Sequence, residues 1–193
     1  HQDNMRIYDV NPRSTIARMI ISEEVDKYVI EAAYDNIHIT ANNILMLSDR
    51  DGYRHLYLYN MNGILKRSVC PASTDITAVY GYDEKTGDIF YQAAPTPMTR
   101  HIFVQHANGK TQRLSQREGV NDARFSTSLQ YYFNTWSDRN TPYVCTSNSR
   151  DGKVISTLED NKDLRERLAA YDIPERELFS FTTSEGVKLN GYM

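Results

Sequence analysis

A strand of alternating large residues followed by a glycine-bearing turn recurs through this chain at intervals of just over forty residues, and that recurrence restricts the possible folds more than any other feature. His55-Leu56-Tyr57-Leu58 with Asn62-Gly63 returns 46 residues later as His101-Ile102-Phe103-Val104 with Asn108-Gly109-Lys110. It returns after a further 43 as Pro142-Tyr143-Val144-Cys145 with Asp151-Gly152-Lys153. Ser-Asp-Arg repeats at 48–50 and at 137–139, a separation of 89 or two such periods. Met5-Arg6-Ile7-Tyr8-Asp9-Val10 reads as a truncated copy about one period before Tyr57. Periods in the forties built of short strands and glycine turns are those of four-stranded β-propeller blades. Burial is the physical reason, since a lone blade cannot cover its faces and stacked blades cover each other.

Within the first copy the leucines of Leu56-Tyr57-Leu58-Tyr59 share one face and the tyrosines the other, as a strand requires. Both faces are bulky, so both are expected to be covered. Asn62-Gly63 predicts a type I′ hairpin turn with positive φ at both central residues. A second blade is predicted from strands at 76–82 and 88–92 around Asp83-Glu84-Lys85-Thr86-Gly87, with Ala94-Pro95-Thr96-Pro97 as a rigid connector. A third runs from Ala123 through Gln130-Tyr131-Tyr132-Phe133 to Leu158, its aromatic run reading as propeller core. Upstream, strands at 5–10 and 15–21 flank a turn at Pro12, and the polar segment 22–27, read as a loop or rim with Glu23-Glu24 as solvated surface, leads to an apolar run at 28–30. The fold expected is all-β: about three to four blades of a partial β-propeller.

After Leu158 the chain changes character. Lys162 to Tyr171 predicts a short helix with Leu164, Leu168 and Tyr171 on one face, capped by Asp160 or Asn161 and stopped before Pro174. A hairpin at 177–193, around Ser184-Glu185-Gly186, is out of register with the blades. It reads as the first piece of a second domain.

Composition excludes several classes. A chain that is 40% hydrophobic and 11% aromatic can bury a core, and a net charge of −3 without a basic run disfavours a nucleic-acid partner. No run of about 18 apolar residues offers a membrane span. The polar start His1-Gln2-Asp3-Asn4 holds no signal peptide, and a chain beginning at His reads as a processed piece. Cys70 and Cys145 are expected as small buried hydrophobes, and a disulfide between them would need Cα atoms within about 7 Å. His38, His55, His101 and His106 show no metal-ligand spacing and are assigned surface or hydrogen-bonding roles, so no metal is expected. Asp49-Arg50-Asp51-Gly52 lacks the remaining acids of a calcium loop and reads as a turn held by Asp side chains. Lys85-Thr86-Gly87 lacks a Ser-x-x-Lys partner and is a hairpin turn.

Four runs then carry a resemblance: Ser-Asp-Arg-Asp-Gly-Tyr-Arg-His-Leu-Tyr-Leu-Tyr at 48–59, Ile-Thr-Ala-Val-Tyr-Gly-Tyr-Asp at 76–83, Leu-Glu-Asp-Asn at 158–161 and Leu-Asn-Gly-Tyr-Met at 189–193. Together and in this order they resemble the dipeptidyl peptidase IV family of prolyl-oligopeptidase-type serine peptidases, over nearly the whole chain. The resemblance implies an eight-bladed propeller joined to an α/β-hydrolase domain. It divides the chain into C-terminal propeller blades at 1–158, a helical linker at 159–176 and the opening hairpin of the hydrolase at 177–193. The implied activity is removal of Xaa-Pro or Xaa-Ala dipeptides from peptide N-termini by a Ser-Asp-His triad, without a cofactor. The family nucleophile sits in a Gly-x-Ser-x-Gly elbow, absent from these 193 residues, so no catalytic residue is assigned here and the triad is expected beyond Met193. The family's paired glutamates belong to an insertion upstream, and Ala32-Ala33-Tyr34 stand where a substrate-contacting arginine is expected, which leaves substrate-binding residues unassigned. The resemblance further implies peptide substrates, a homodimeric parent, and an exported bacterial enzyme of the periplasm or cell surface.

Two other functions compete with a propeller that walls off a peptidase. An interaction propeller would bind a protein partner on its top face, and a glycosidase would need inward-facing acids at a channel mouth. Glu31, Asp35, Asp75 and Asp122 show no such grouping in sequence.

Overall fold

A computed structural model describes residues 3–26, 29 and 37–193. Strands β1 (Asn4–Val10) and β2 (Ala17–Glu24) form an antiparallel hairpin. Three four-stranded antiparallel sheets follow, each a meander in chain order. The first holds β3 (Ile37–Ile39), β4 (Asn43–Ser48), β5 (His55–Asn60) and β6 (Leu65–Val69). The second holds β7 (Asp75–Asp83), β8 (Asp88–Ala94), β9 (His101–Gln105) and β10 (Thr111–Arg113). The third holds β11 (Val120–Phe125), β12 (Tyr131–Ser137), β13 (Val144–Ser149) and β14 (Val154–Glu159). Helix α1 (Lys162–Leu168) and the hairpin of β15 (Leu178–Thr182) and β16 (Lys188–Tyr192) end the chain. These are three complete blades and a preceding hairpin of a partial β-propeller. The stretches at 30–36 and at Tyr28, with Glu31, Ala32-Ala33-Tyr34 and Asp35, lie outside the described residues.

The repeated turn differs from the one expected. At Asn62-Gly63 only the glycine has positive φ, 78°. Gly63 N–H donates to Asn60 O at 3.0 Å, and Asn60 N–H to Ile64 O at 3.0 Å. This is a type I turn closed by a left-handed glycine bulge, the commonest three-residue hairpin loop. Asn60 Oδ1 decides the geometry by accepting the N–H groups of Asn62 and Ile64, each at 2.9 Å. The same backbone pair closes the turns ending at Gly109, Gly152 and Gly186, so the period seen in sequence is a period of bulged turns.

Burial follows the stacking. Every residue of β4 is buried, as are five of the six in β5, which is the double coverage their bulky faces predict. Three apolar layers alternate with the blades. Met5, Ile21, Ile44, Met46, Tyr57 and Tyr59 join the first hairpin to the first blade. Leu45, Leu56, Leu58, Ile76, Ile89 and Tyr91 join the first blade to the second. Phe90, Ile102, Val104, Leu114 and Tyr132 join the second to the third.

Several local expectations are corrected. Residues 22–24 belong to β2 rather than to a loop, and the alternation of that strand turns Glu23 inward while Glu24 stays out. Glu23, 6% exposed, accepts the Ser48 hydroxyl at 2.5 Å and the Arg50 guanidinium at 2.7 Å, so it is a buried tie between hairpin and blade and not solvated surface. In Tyr131-Tyr132-Phe133 only Tyr132 enters the core, because its neighbours point to a face that no described strand covers. Cys70 is exposed and Cys145 half-buried, both as free thiols; Cys70 sits one residue past β6, where the buried alternation has ended. Helix α1 stops at Leu168 rather than Tyr171, its end tightened by Ala170 N–H to Arg167 O and Tyr171 N–H to Leu168 O. Asp160 Oδ1 accepts the Lys162 N–H at 2.9 Å, whereas Asn161, in the left-handed region, makes no side-chain cap.

Candidate functional site

A meander blade sends its connections alternately to two edges, so the arc has two unlike faces. One carries the tight turns after the first and third strands of each blade. Two arginines tie blades together there: Arg67 donates to Gly87 O at 2.7 Å and to His106 O at 3.0 Å, and Arg150 pairs with Asp83 at 3.0 Å and Asp88 at 2.7 Å. His106 Nδ1 lies 3.0 Å from Asp88 Oδ1, which gives that histidine its hydrogen-bonding role. Glu84 accepts from Thr40, from Asn42 N and Nδ2 at 3.0 and 2.8 Å, and from Asn43; with it bound this way, its carboxyl is held down at about 2.

The opposite face carries the longer loops, at 49–54, 95–100 and 138–143, and the crossovers between blades at 70–74 and 114–119. The C-terminal segment returns to this face. Asn161 Nδ2 donates to Tyr143 O at 2.6 Å, and Arg176 N–H to Asn140 Oδ1 at 3.1 Å. Between the second and third blades a cleft of about 560 Å³ opens here, lined by Met98 and Thr99, by Glu118 of the crossover and Val120 at the start of β11, by Arg139, and by Leu178 of β15. A neighbouring groove of about 540 Å³ runs from Arg139 and Tyr143 to Leu168 and Pro174.

The floor of the cleft rests on a backbone bridge and a close approach of two chain segments. Arg100 pairs with Val120 in a parallel bridge, its N–H donating to Gly119 O at 3.0 Å. A Cβ on Gly119, whose φ is 121°, would stand 2.5 Å from Ser137 O, so only glycine lets the crossover lie this close to β12. Trp136 Nε1 donates to Glu118 O at 2.6 Å, with the Arg117 guanidinium 4.7 Å above its ring. Asn121, fully buried, donates to Arg100 O and Arg117 O and accepts from Asn134. Asp138 Oδ1 accepts the N–H groups of Asn140 and Thr141 at 3.0 and 2.7 Å; burial works against its charge, but these bonds prevail and hold its carboxyl low.

Beneath the cleft, Ser115, His101 and Glu118 have the connectivity of a nucleophile, a base and an acid. His101 Nδ1 lies 3.1 Å from Ser115 Oγ, and Nε2 lies 3.1 Å from Glu118 Oε2. Burial, aided by nearby Arg113, pushes the His101 imidazole down, and Glu118 opposes it less. A neutral ring with its proton on Nε2 satisfies every neighbour: it donates to Glu118 and accepts at Nδ1 from the Ser115 hydroxyl. Yet Ser115 is 4% exposed and its oxygen already accepts the Ile102 N–H. Ser115 and His101 are buried in the polar seam between blades, and only Glu118 reaches the cleft.

Sequence reasoning missed one assembly on this face. The structure brings Asp51, His55 and Cys70 together from the 49–54 loop, the start of β5 and the end of β6, with a potential ligand atom of each within 4.8 Å of the others. No linear spacing reveals it, because blade pairing supplies the third member. His55 also departs from its expected hydrogen-bonding role, since neither ring nitrogen has a partner. Of the acids a channel mouth would need, Asp75 caps the Arg54 N–H at 2.8 Å and Asp122 accepts the Tyr80 hydroxyl at 2.8 Å, each on its own blade seam.

A family profile described as the dipeptidyl peptidase IV (DPP IV) N-terminal region matches residues 1–143. The chain belongs to this family. The crystal structure of Porphyromonas gingivalis dipeptidyl peptidase 4 superposes over 99% of the chain and 28% of that protein, at a TM-score of 0.95 and 34% identity. Dipeptidyl peptidase 4 of Arthroderma otae is 29% identical over 149 residues, and that of Trichophyton rubrum 26% over 149, each match covering 75% of this chain. The chain spans about a fifth of the length of these curated relatives, 19% in each case. Family membership agrees with the partial propeller, and the relatives' names make them peptidases. No described helix is long and apolar enough to cross a membrane.

Proposed function

We propose that this chain is the C-terminal part of the propeller of a serine dipeptidyl peptidase that removes Xaa-Pro or Xaa-Ala dipeptides from peptide N-termini. In this reading residues 1–158 are propeller blades, 159–176 a helical linker, and 177–193 the opening hairpin of the hydrolase domain, with the triad elsewhere in a longer polypeptide. The observation that carries the proposal is the superposition on the Porphyromonas gingivalis enzyme over 99% of the chain, terminal hairpin included.

The chain's own residues contribute positioning and exclusion. The seams of apolar side chains and the ties through Arg67 and Arg150 make the arc rigid, so its loop face presents a fixed wall. The bonds from Asn161 and Arg176 to the third blade anchor the linker on that wall, which directs the hydrolase domain toward the clefted face. A wall of this kind admits short, extended chain ends and turns away folded proteins. The parent is read as an exported homodimer.

The test is release of a chromophore from Gly-Pro and Ala-Pro substrates by the longer polypeptide and by this chain alone. An active parent beside an inert 193-residue chain is expected. An inert parent would overturn the proposal and favour a binding propeller.

A further inference from the structure

The cluster of Asp51, His55 and Cys70 has no place in the peptidase reading. We propose that it is a mononuclear site for a zinc-type divalent cation, with Asp51, His55 and Cys70 as its three protein ligands and the fourth position open. Thiolate, imidazole and carboxylate are the donor set that zinc takes at about 2.0–2.3 Å, and at a tetrahedral ion such bonds place neighbouring donor atoms roughly 3.3–3.8 Å apart. Asp51 Oδ2 and His55 Nδ1 stand 3.8 Å apart, and all three donors lie within 4.8 Å of one another. The first distance is too long for a hydrogen bond and suits two ligands facing one ion.

The independent observation is His55 itself. Its side chain is 8% exposed, and neither Nδ1 nor Nε2 has a hydrogen-bond partner. A buried imidazole left this way is costly, and a metal ion is what a neutral ring nitrogen beside a carboxylate and a thiol would take.

The surroundings orient the ligands. The Tyr57 hydroxyl donates to Asp51 Oδ2, and the Arg50 guanidinium sits 4.1 Å above the Tyr57 ring. The Tyr53 ring stacks toward His55 at 6.3 Å between centroids. Supporting contacts of this sort to a ligating carboxylate and imidazole hold their orientation. Cys70 begins the crossover to the second blade, and Ile76 N–H donates to Arg54 O at 2.8 Å, so the ends of both ligand-bearing loops are fixed. On binding, the Cys70 thiol releases its proton to solvent as the sulfur–metal bond forms. Cys70 and Asp51 face solvent, which leaves the fourth position to water. Bound there, the ion clamps the crossover to the first blade.

Cobalt(II), whose thiolate complexes absorb strongly, is the probe. The reduced full chain is titrated with Co²⁺, and then with Zn²⁺ to displace it. One Co²⁺ per chain is expected, with a thiolate-to-metal charge-transfer band that Zn²⁺ abolishes stoichiometrically. Cys70→Ser, at an exposed position that leaves the fold intact by circular dichroism, should lose the band and weaken Zn²⁺ binding by at least about 100-fold. Asp51→Asn should weaken it by about 10–100-fold, while Cys145→Ser keeps both band and affinity. Absence of stoichiometric uptake would overturn the proposal. So would a band that survives Cys70→Ser or disappears in Cys145→Ser.

Discussion

The second and third blades share one topology and nearly one turn chemistry, yet they differ in what their faces meet. In the second, six of the seven residues of β8 are buried, since the first blade covers one side and the third the other. In the third, β12 alternates buried and exposed side chains over its first five residues, and all of β14 is exposed. Tyr131, Phe133, Ile155 and Leu158 therefore lie open, each at least half exposed. Burial in a propeller belongs to the stack and not to the blade. A strand pattern with two large faces states what a blade needs, and its neighbours decide whether it gets it.

Four measurements test whether coverage by neighbouring blades sets these differences. The largest effect is expected where both sides are covered: Phe90→Ala should cost about 3–5 kcal/mol in urea unfolding. Phe133→Ala, on the open side, should cost under about 0.5 kcal/mol. Equal losses would mean that the third blade is covered in solution by something other than a blade.

Next comes the tie between the two blades. Arg150 stands 24% exposed between Asp83 and Asp88 and lies over the Phe90 ring at 5.3 Å, so Arg150→Ala should cost about 1–3 kcal/mol near neutral pH. Burial raises the Asp83 carboxyl, but the Arg150 hydrogen bond and the amides of Lys85 and Thr86 outweigh it and hold the group low. A lowered folded value stabilises above the unfolded value of about 3.9 and is lost as pH falls through the folded one. The deficit of Arg150→Ala should therefore shrink below about pH 4. A deficit independent of pH would remove the ion pair from the account.

Third, the same turn can be compared in two settings. A Cβ at Gly63 would stand 1.6 Å from Ile20 O, against the preceding hairpin, whereas one at Gly109 meets nothing within 4 Å. Gly109→Ala should cost only the left-handed strain of about 1–2 kcal/mol. Gly63→Ala should lower the unfolding midpoint further than Gly109→Ala does. Matching midpoints would show that the hairpin does not seat on the first blade.

The smallest effect on stability should accompany a visible one on assembly. With the third blade's outer face open, light scattering should give a mass above 22.3 kDa that rises with concentration. Phe133→Lys should suppress that rise while changing the unfolding free energy by no more than about 0.5 kcal/mol. A monomer at all concentrations would count against the open face as an adhesive surface.

Strand pairing and blade order were legible from residue spacing because a strand's period of two and a turn's demand for glycine are local properties. The helix and the final hairpin were legible for the same reason, to within three residues at the helix end. Neighbours in space were not. Glu23 looks like any charged residue in a polar run, and only the seating of β2 on the first blade puts Arg50 and Ser48 around it. The clefted face arises from loops contributed by two blades and the terminal segment, and the group at Asp51, His55 and Cys70 from a turn and two strand ends that pairing brings together.

Local residue pattern carried the repeating unit: short strands with two bulky faces, glycine-bearing turns, and a change of register after Leu158. Which faces are covered, which histidine is left without a partner, and where the blades leave a cleft follow from how the blades stack. The reason is physical. Backbone period and turn strain act within a few residues, whereas burial, ion pairing and ligand geometry depend on groups that stacking places side by side.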